Sequence, residues 1–339
     1  MESTPSEEPS SPLAAASFPL LVYDYGYPPD FHQAMLSAAD MSMRTLQVHE
    51  LCNYTCLETP HGLVLMADTV TSSGWCCLWN PQTGEKIALP AMEKMLPERC
   101  RCLLSDAVSS PDCLVLVHTF GEPELMFCRL RGGGAWVTQS YDIGLCQIPG
   151  SQTPPKKKYI TGMAAVQGKF YFFETPDVLQ VFSFVQSPEP HLELATCFDA
   201  ITPRFTCDDA PRTATVTLSY LLESCQELFL VCLFYRGCDF ERLEEVAAYR
   251  MDFSEQEWCK VTDIGDRAFL LGSANFAASC SATEHGLKKG CVYFANDFLG
   301  DSNDYHIFDL KEGTRELVGP NQDIPVLTRK PFWMVPVAM

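Results

Sequence analysis

Cys113–Val137 reads CLVLVHTFGEPELMFCRLRGGGAWV, and it contains one complete copy of the unit that decides the fold. An apolar run that begins at Cys113 is followed by a short polar loop and a second apolar stretch around Phe127. A turn of three glycines then leads to a third stretch at Trp136. Runs of this length, rich in β-branched and aromatic residues, indicate buried strands rather than helices. We therefore predict strand, loop, strand, tight turn and strand.

The same unit recurs along the chain. Its first run is marked in turn by Leu63, Leu114, Phe170, Leu228 and Val292, at intervals of 51, 56, 58 and 64 residues. A period of about 50 to 60 residues is typical of kelch-like blades in a β-propeller. Helical periodicity is nearly absent. The one candidate helix is DFHQAMLSAADM, Asp30–Met41, with Asp30 as its N-cap.

Two further strand-like segments lie outside the five clear units, namely FPLLVYDYG from Phe18 and PFWMVPVAM from Pro331. An open first or last blade would leave unpaired backbone groups at a sheet edge, so we expect these segments to meet in one composite blade. The predicted fold is an all-β, kelch-like β-propeller of about six blades, closed by N- and C-terminal strands. It spans residues 18–339, after a disordered, acidic, Ser/Pro-rich tail at residues 1–17.

Composition restricts the class of partner. The chain has 43 acidic and 24 basic residues, a formal charge of −19, and this field repels nucleic acid and anionic membranes. No apolar window is long enough for a membrane helix, and no secretory or transit signal precedes Phe18. Most of the 17 cysteines lie inside apolar runs, where a reduced thiol packs as a small hydrophobe. We expect a soluble monomer in the cytoplasm or nucleus, with an organelle left open.

An Asp-Arg pair stands in DIGDRAFLLG, between the outer strand of one unit and the next unit. Gly265 supplies conformational freedom for a corner, and Asp266 can hydrogen-bond nearby backbone. No His, Ser or Lys accompanies the pair locally, so we interpret it as an inter-blade corner rather than a catalytic pair.

One stretch carries four ligand types that zinc accepts. It is HELCNYTCLETPH, with His49, Cys52, Cys56 and His61. The spacing fits no standard zinc finger, and the last two residues fall in a strand and a turn of the first clear unit. We expect no metal there.

Three further motifs have simpler interpretations as loops. The acidic stretch Asn296–Asp304 lacks the ligand spacing of a calcium loop and is predicted to be a solvated turn. Lys156–Lys158 could form a weak nuclear-import signal or an anion patch, but are expected to be solvated. Arg131–Trp136 is neither a Walker A nor a dinucleotide motif, and is predicted to be a strand-to-strand turn.

No G-x-S-x-G or H-E-x-x-H motif occurs, and the seven His are scattered. We therefore predict no catalytic, cofactor-binding or metal-binding residue and no cofactor. Two functions remain open: a non-catalytic protein-binding propeller, and a hydrolase or lyase with a polar central pocket. Three or more convergent carboxylates or His with raised burial at the channel mouth would favour the enzyme, and a shallow aromatic or Met-rich surface would favour the binder.

Several stretches together resemble the plant KIB-type β-propeller family, also known as domain of unknown function 295. The matching pieces are FPLLVYDYG, ETPHGLVLMAD, LWNPQTGEKIALP, CLLSDAVSSPDCLVLV, ITGMAAVQGKFYFF, YRMDFSEQEWCKVTDIGDRAFLLG, GLKKGCVYFAND and PFWMVP.

The resemblance implies an adaptor or regulator in plant cells that binds other proteins, with kinases of the glycogen-synthase-kinase-3 type among the family's partners. Some family members carry an F-box and act as ubiquitin-ligase receptors. Here only the polar tail precedes Phe18, so we expect that the chain does not recruit a ligase by itself.

Overall fold

The protein is described by a computed structural model, which covers residues 11–27, 30–68, 71, 73–147, 154–186, 189–198, 215–237, 242–295, 304–320 and 324–337. Within these ranges the regular structure is almost entirely β. The first half of the chain contains β1 (Leu20–Tyr25), β2 (His32–Ser37), β3 (Met43–Leu46), the short helix α1 (His49–Asn53), β4 (Thr55–Glu58), β5 (Val64–Ala67), β6 (Cys76–Trp79), β7 (Lys86–Ala88), β8 (Cys100–Leu104), β9 (Leu114–Thr119), β10 (Glu124–Arg129), β11 (Val137–Ser140), β12 (Leu145–Cys146) and β13 (Lys156–Lys157).

The second half continues the same pattern with longer strands. It contains β14 (Met163–Val166), β15 (Lys169–Thr175), β16 (Val178–Val185), β17 (His191–Phe198), β18 (Thr215–Ser224), β19 (Glu227–Arg236), β20 (Leu243–Asp252), β21 (Glu257–Val261), β22 (Arg267–Gly272), β23 (Phe276–Ser281), β24 (Cys291–Ala295), β25 (Tyr305–Asp309), β26 (Thr314–Val318) and β27 (Phe332–Met334).

These strands form the six blades of a β-propeller, as the sequence predicts. The first blade has the strand order β27-β1-β2-β3, and blades two to five use β4–β7, β8–β11, β14–β17 and β18–β21. The sixth blade has five strands, in the order β23-β22-β24-β25-β26, and β22 runs parallel to β24. A small ribbon, β12-β13, lies in the connection between blades three and four.

The ring closes through the two ends of the chain. β27 pairs with β1 in antiparallel register, with Leu21 opposite Trp333. Residues from the C-terminal segment therefore form the innermost strand of a blade whose other three strands come from the N-terminal segment. The predicted composite blade is confirmed.

Packing between blades explains why the strands are continuous apolar runs rather than alternating ones. In β5, Val64 and Met66 pack in the cluster shared with the first blade, whereas Leu65 and Ala67 pack in the cluster shared with the third. Both faces of each middle strand are therefore buried. Six such clusters join neighbouring blades in turn around the ring, including one that joins the sixth blade to the first.

The candidate helix at Asp30–Met41 is wrong, because this segment contains β2. Met35 faces the second blade, and Ala34 and Leu36 face the sixth, so the segment is apolar on both sides. An apolar run that is buried on both faces cannot be separated from a helix by periodicity alone.

Part of the predicted N-terminal tail packs on the propeller. Leu13 lies in the cluster between blades one and two, and the Ser11 hydroxyl donates a hydrogen bond to the Pro81 carbonyl at 2.5 Å. Residues 1–10 lie outside the described residues.

Candidate functional site

The two ends of the propeller differ in their exposed apolar side chains. In an antiparallel blade, the loop from the second to the third strand and the connection to the next blade emerge at the same end, which we call the upper face. Among the described residues, eight large apolar side chains are exposed, and six of them lie on upper-face loops. These six are Tyr27, Trp75, Met95, Leu145, Tyr159 and Val326. The other two are Phe253, on a turn at the opposite end, and Leu317, on the outer strand β26.

Trp75 and Met95 form one wall each of a groove on this face. The groove has a volume of about 210 Å³ and lies between the β5-β6 loop and the β7-β8 connection. Buried Met92 also lines it, and the rings of Tyr54 and Trp75 have centroids 5.1 Å apart. Aromatic and methionine side chains therefore line a recess on the upper face together with Asp68, Glu93 and Lys94.

A charged network fills the mouth of the central channel. Arg329, just before β27, lies 2.5 Å from an Asp24 carboxylate oxygen and 3.3 Å from a Glu58 oxygen. Arg101 in β8 lies 3.6 Å from the other Glu58 oxygen. Burial opposes the charge of Arg329, but Glu58 and Asp24 more than offset it and raise the pKa of its guanidinium above the usual value. Each carboxylate is thus neutralised by an arginine.

The connection between β22 and β23 crosses the channel on top of this network. Ser273–Asn275 forms a single 3-10 turn in which Ala274 and Asn275 have left-handed φ values of 50° and 61°. Arg101 donates hydrogen bonds to the Ser273 carbonyl and, at 3.0 Å, to the Ala274 carbonyl. The Asn275 amide donates to the Thr161 carbonyl at 2.8 Å. The turn of the sixth blade is therefore bound to blade three and to the segment that enters blade four.

Little space remains beside these groups. The cavity lined by Glu58, Arg101 and His118 has a volume of about 20 Å³, which is roughly the room for one water molecule. Burial and the nearby Arg101 charge lower the pKa of His118 to about 3, so this imidazole is neutral at pH 7. Among the described residues, the groups around Glu58 therefore form a packed ionic cluster beside a small cavity.

A comparison with protein families shows which family the chain belongs to. A profile of the KIB1-4 beta-propeller family matches residues 35–309, which is most of the chain. The chain belongs to the KIB1-4 beta-propeller family. No curated protein matches it significantly.

The solved structures that resemble this KIB1-4 propeller have low sequence identity to it. They include apo AztD from Citrobacter koseri, with 9% identity over 93% of this chain and 96% of that chain and a TM-score of 0.34. TolB from Acinetobacter baumannii has 11% identity over 93% of this chain and 66% of that one, with a TM-score of 0.37. A nidogen/laminin complex gives 9% identity, coverages of 89% and 93%, and a TM-score of 0.38. At such low identities and TM-scores, these likenesses carry no functional argument.

The four candidate zinc ligands of the propeller do not converge. His49 lies on α1, where its ring nitrogen is 3.0 Å from the Asn53 amide. The Cys52 thiol faces the Phe31 carbonyl, and Cys56 is buried in β4. Throughout the part of the chain that the structure describes, no group of three or more His, Cys, Asp or Glu side chains could hold a metal ion.

The Asp-Arg pair lies where blade five passes to blade six. The Asp266 carboxylate accepts hydrogen bonds from Thr283 and, at 2.9 Å, from Ser281, and these bonds lower its pKa to about 2. Arg267 donates to the Ser279 hydroxyl at 2.9 Å. Both side chains therefore connect the start of β22 by hydrogen bonds to β23 and to the segment that follows it.

The remaining sequence motifs lie in connections between the blade strands. Arg131–Trp136 joins β10 to β11, as the turn prediction requires. Lys156 and Lys157 form the exposed strand β13 of the small ribbon. Of the stretch Asn296–Asp304, only Asp304 lies within the described residues.

Sequence reasoning missed the residues that form the groove and the charged network. Trp75 follows a polar Thr-Ser-Ser-Gly segment, and Tyr159 follows three lysines. A large aromatic residue inside a polar loop is a signal for an exposed contact residue, and it could have identified both. The channel network has no comparable signal, because Asp24, Glu58, Arg101 and Arg329 are far apart in the sequence.

Proposed function

We propose that the chain is a non-catalytic protein-binding propeller that acts as an adaptor or regulator through its upper face. The observation that carries the proposal is the segregation of exposed apolar side chains, six of eight on the loops of one face. Two of the six, Trp75 and Met95, line the same groove, and exposed aromatic residues contribute much of the binding energy at protein interfaces. Loops on a rigid propeller can present these residues without a change in the scaffold.

The alternative, a hydrolase or lyase with a central polar pocket, rests on the convergence of Asp24, Glu58 and His118 near the channel mouth. Both carboxylates form ion pairs with arginine, and the adjoining cavity holds about 20 Å³. A substrate needs a pocket of roughly 300 Å³ or more and groups that are free to move protons. The packing therefore supports binding at the loops rather than chemistry in the channel.

The family resemblance makes a protein kinase the first partner to test. We propose a reducing compartment, the cytoplasm or nucleus with an organelle left open, because all 15 described cysteines are free thiols and ten of them are buried. We also propose that the chain is a monomer. None of the described helices is long and apolar enough to cross a membrane.

Affinity purification with face-specific variants tests the proposal. An upper-face variant replaces Tyr27, Met95 and Tyr159 by Ser, and the matched control replaces Phe253 by Ser at the opposite end. We expect wild type and control to retain the same partner proteins, and the upper-face variant to lose at least about tenfold of each. Equal capture by the upper-face variant and wild type, or loss caused only by the control, would reject the proposal.

A further inference from the structure

The groove beside Trp75 is held in shape by main-chain contacts. The Met92 amide donates to the Gly74 carbonyl at 2.7 Å, and the Asp68 amide donates to the Trp75 carbonyl at 3.0 Å. Gly74 has a φ of 68°, and a Cβ at this position would lie 2.4 Å from the Met92 carbonyl oxygen. Glycine therefore allows the two loops to touch, so the groove exists before any partner arrives.

The third blade fixes the far side of the groove. The Trp136 indole donates to the Pro90 carbonyl at 2.8 Å, next to the start of the β7-β8 connection. Lys94 forms a 2.6 Å ion pair with Glu124 of β10. The connection that carries Met92 and Met95 is thus anchored at two points to the neighbouring blade, and ordering it costs a partner little entropy.

The size of the groove fits one large apolar side chain. Its volume of about 210 Å³ exceeds the roughly 150 Å³ cavity that accommodates a benzene ring in another protein. Trp75 is 39% exposed and Met95 is 59% exposed, so both still have apolar surface to bury. Methionine adapts its shape to different partners, and tryptophan offers a flat, rigid contact.

The rim of the groove is acidic. Asp68 and Glu93 both line it, whereas the one lysine on the rim, Lys94, is neutralised by Glu124. Among the described residues, no basic side chain pairs with Glu93. The local excess of negative charge has the same sign as the net charge of −19. The Asp68 carboxylate already accepts hydrogen bonds from Thr71 and Ser73, so a basic group beside the bound apolar side chain would meet the Glu93 carboxylate and the Trp75 ring.

Taking the protein-binding role as given, we propose that this groove binds a segment of a partner protein in which one large apolar residue is flanked by lysine or arginine. The apolar side chain enters between Trp75 and Met95, and the basic neighbours contact Glu93 and the Trp75 ring. A second copy of the chain is the competing occupant, because its exposed Tyr159 follows Lys156–Lys158.

A selection with random 12-residue displayed peptides tests this assignment. The library is selected on wild type, on Trp75→Ala, on Glu93→Lys and on Phe253→Ala, after thermal melts show which variants are folded. We expect wild type and Phe253→Ala to enrich the same peptides, each with Leu, Met, Phe or Trp beside Lys or Arg. Binding of these peptides should fall at least about tenfold on Trp75→Ala, and Glu93→Lys should remove the preference for basic flanks.

Several results would overturn the proposal. They are no enrichment on wild type, peptides with acidic flanks, or equal binding to Trp75→Ala and wild type. If Trp75→Ala does not fold, Met95→Ala takes its place, since Met95 is more exposed. Dimerisation in sedimentation that Trp75→Ala or Glu93→Lys abolishes would assign the groove to a second copy instead. Partner capture lost in Tyr27→Ser but kept in Trp75→Ala would leave the protein-binding role intact and reject the groove.

Discussion

Removal of the closing strand, by deletion of Pro331–Met339, is expected to unfold the entire propeller. The deleted segment includes four almost fully buried side chains, Phe332, Trp333, Met334 and Val335, with exposures of 6%, 1%, 2% and 2%. At roughly 1.5 to 3 kcal/mol for each buried side chain, their loss removes about 6 to 12 kcal/mol. This equals most of the roughly 5 to 15 kcal/mol by which a domain is stable.

Trp333→Ala is a smaller change in the same strand. The Trp333 indole donates to the Leu271 carbonyl of β22 at 2.9 Å, and its ring meets the Tyr305 edge at a centroid distance of 5.6 Å. Truncation of a buried tryptophan costs about 3 to 5 kcal/mol, and the unpaired carbonyl adds roughly 1 kcal/mol. At about 2 °C per kcal/mol for a chain of this size, the Tm should fall by roughly 10 °C.

The assay is thermal and urea unfolding followed by circular dichroism, with Tyr27→Ala as the control. Tyr27 is 80% exposed on the upper face, so its truncation should change the free energy of unfolding by no more than about 0.5 kcal/mol. A truncated chain that keeps the parent Tm, or a Trp333→Ala variant that melts with the Tyr27→Ala control, would refute ring closure as the source of stability.

Three further predictions concern the channel and the thiols. Glu58→Gln leaves Arg101 and Arg329 short of a counter-charge and should cost about 1 to 3 kcal/mol in urea unfolding, whereas exposed Glu93→Gln should cost almost nothing. His118 stays neutral when folded, with a pKa lowered to about 3, so its contribution is complete above about pH 6.5 and is lost as pH falls toward 3. His118→Leu should therefore flatten the decrease in Tm between pH 7 and 4, and an unchanged slope would contradict this. Among the 15 described cysteines, a thiol reagent should label exposed Cys146 and Cys225 first in peptide mapping, and early labelling of a buried thiol would argue against the packing.

The sequence predicts the outer three strands of blades two to six well, because the physical signal is strong there. Val64–Ala67 and its equivalents are buried on both faces, and this requires continuous apolar runs. The inner strands of blades two and three give no such signal. β4 and β8 are short and carry Glu58 and Arg101 toward the network at the channel mouth, so their polar residues interrupt the pattern.

The parallel strand β22 shows a second limit of prediction from the sequence. The sequence places Gly265 and Asp266 at the corner between two blades, and the structure agrees. The parallel pairing of β22 with β24 depends on the turn at Ser273–Asn275 and on contacts across the channel. These contacts join residues far apart in the chain, and local pattern cannot indicate them.

The groove could not be predicted from the sequence for a related reason. Trp75 and Met95 belong to different loops, and they meet only because both loops emerge at the same end of neighbouring strands. Blade order and strand direction must be known before this proximity can be inferred.

Site-specific photo-crosslinking tests the central claim, that the upper face binds a protein partner, most directly. A photoreactive phenylalanine analogue is placed at Tyr27, Trp75 or Tyr159 and, as controls, at Phe253 or Leu317, and each chain is irradiated in extract of cells that express it. The account predicts crosslinks to the same partner protein from the upper-face positions and none from the two controls. Crosslinks confined to Phe253 or Leu317, or no protein crosslink from any upper-face position, would contradict it.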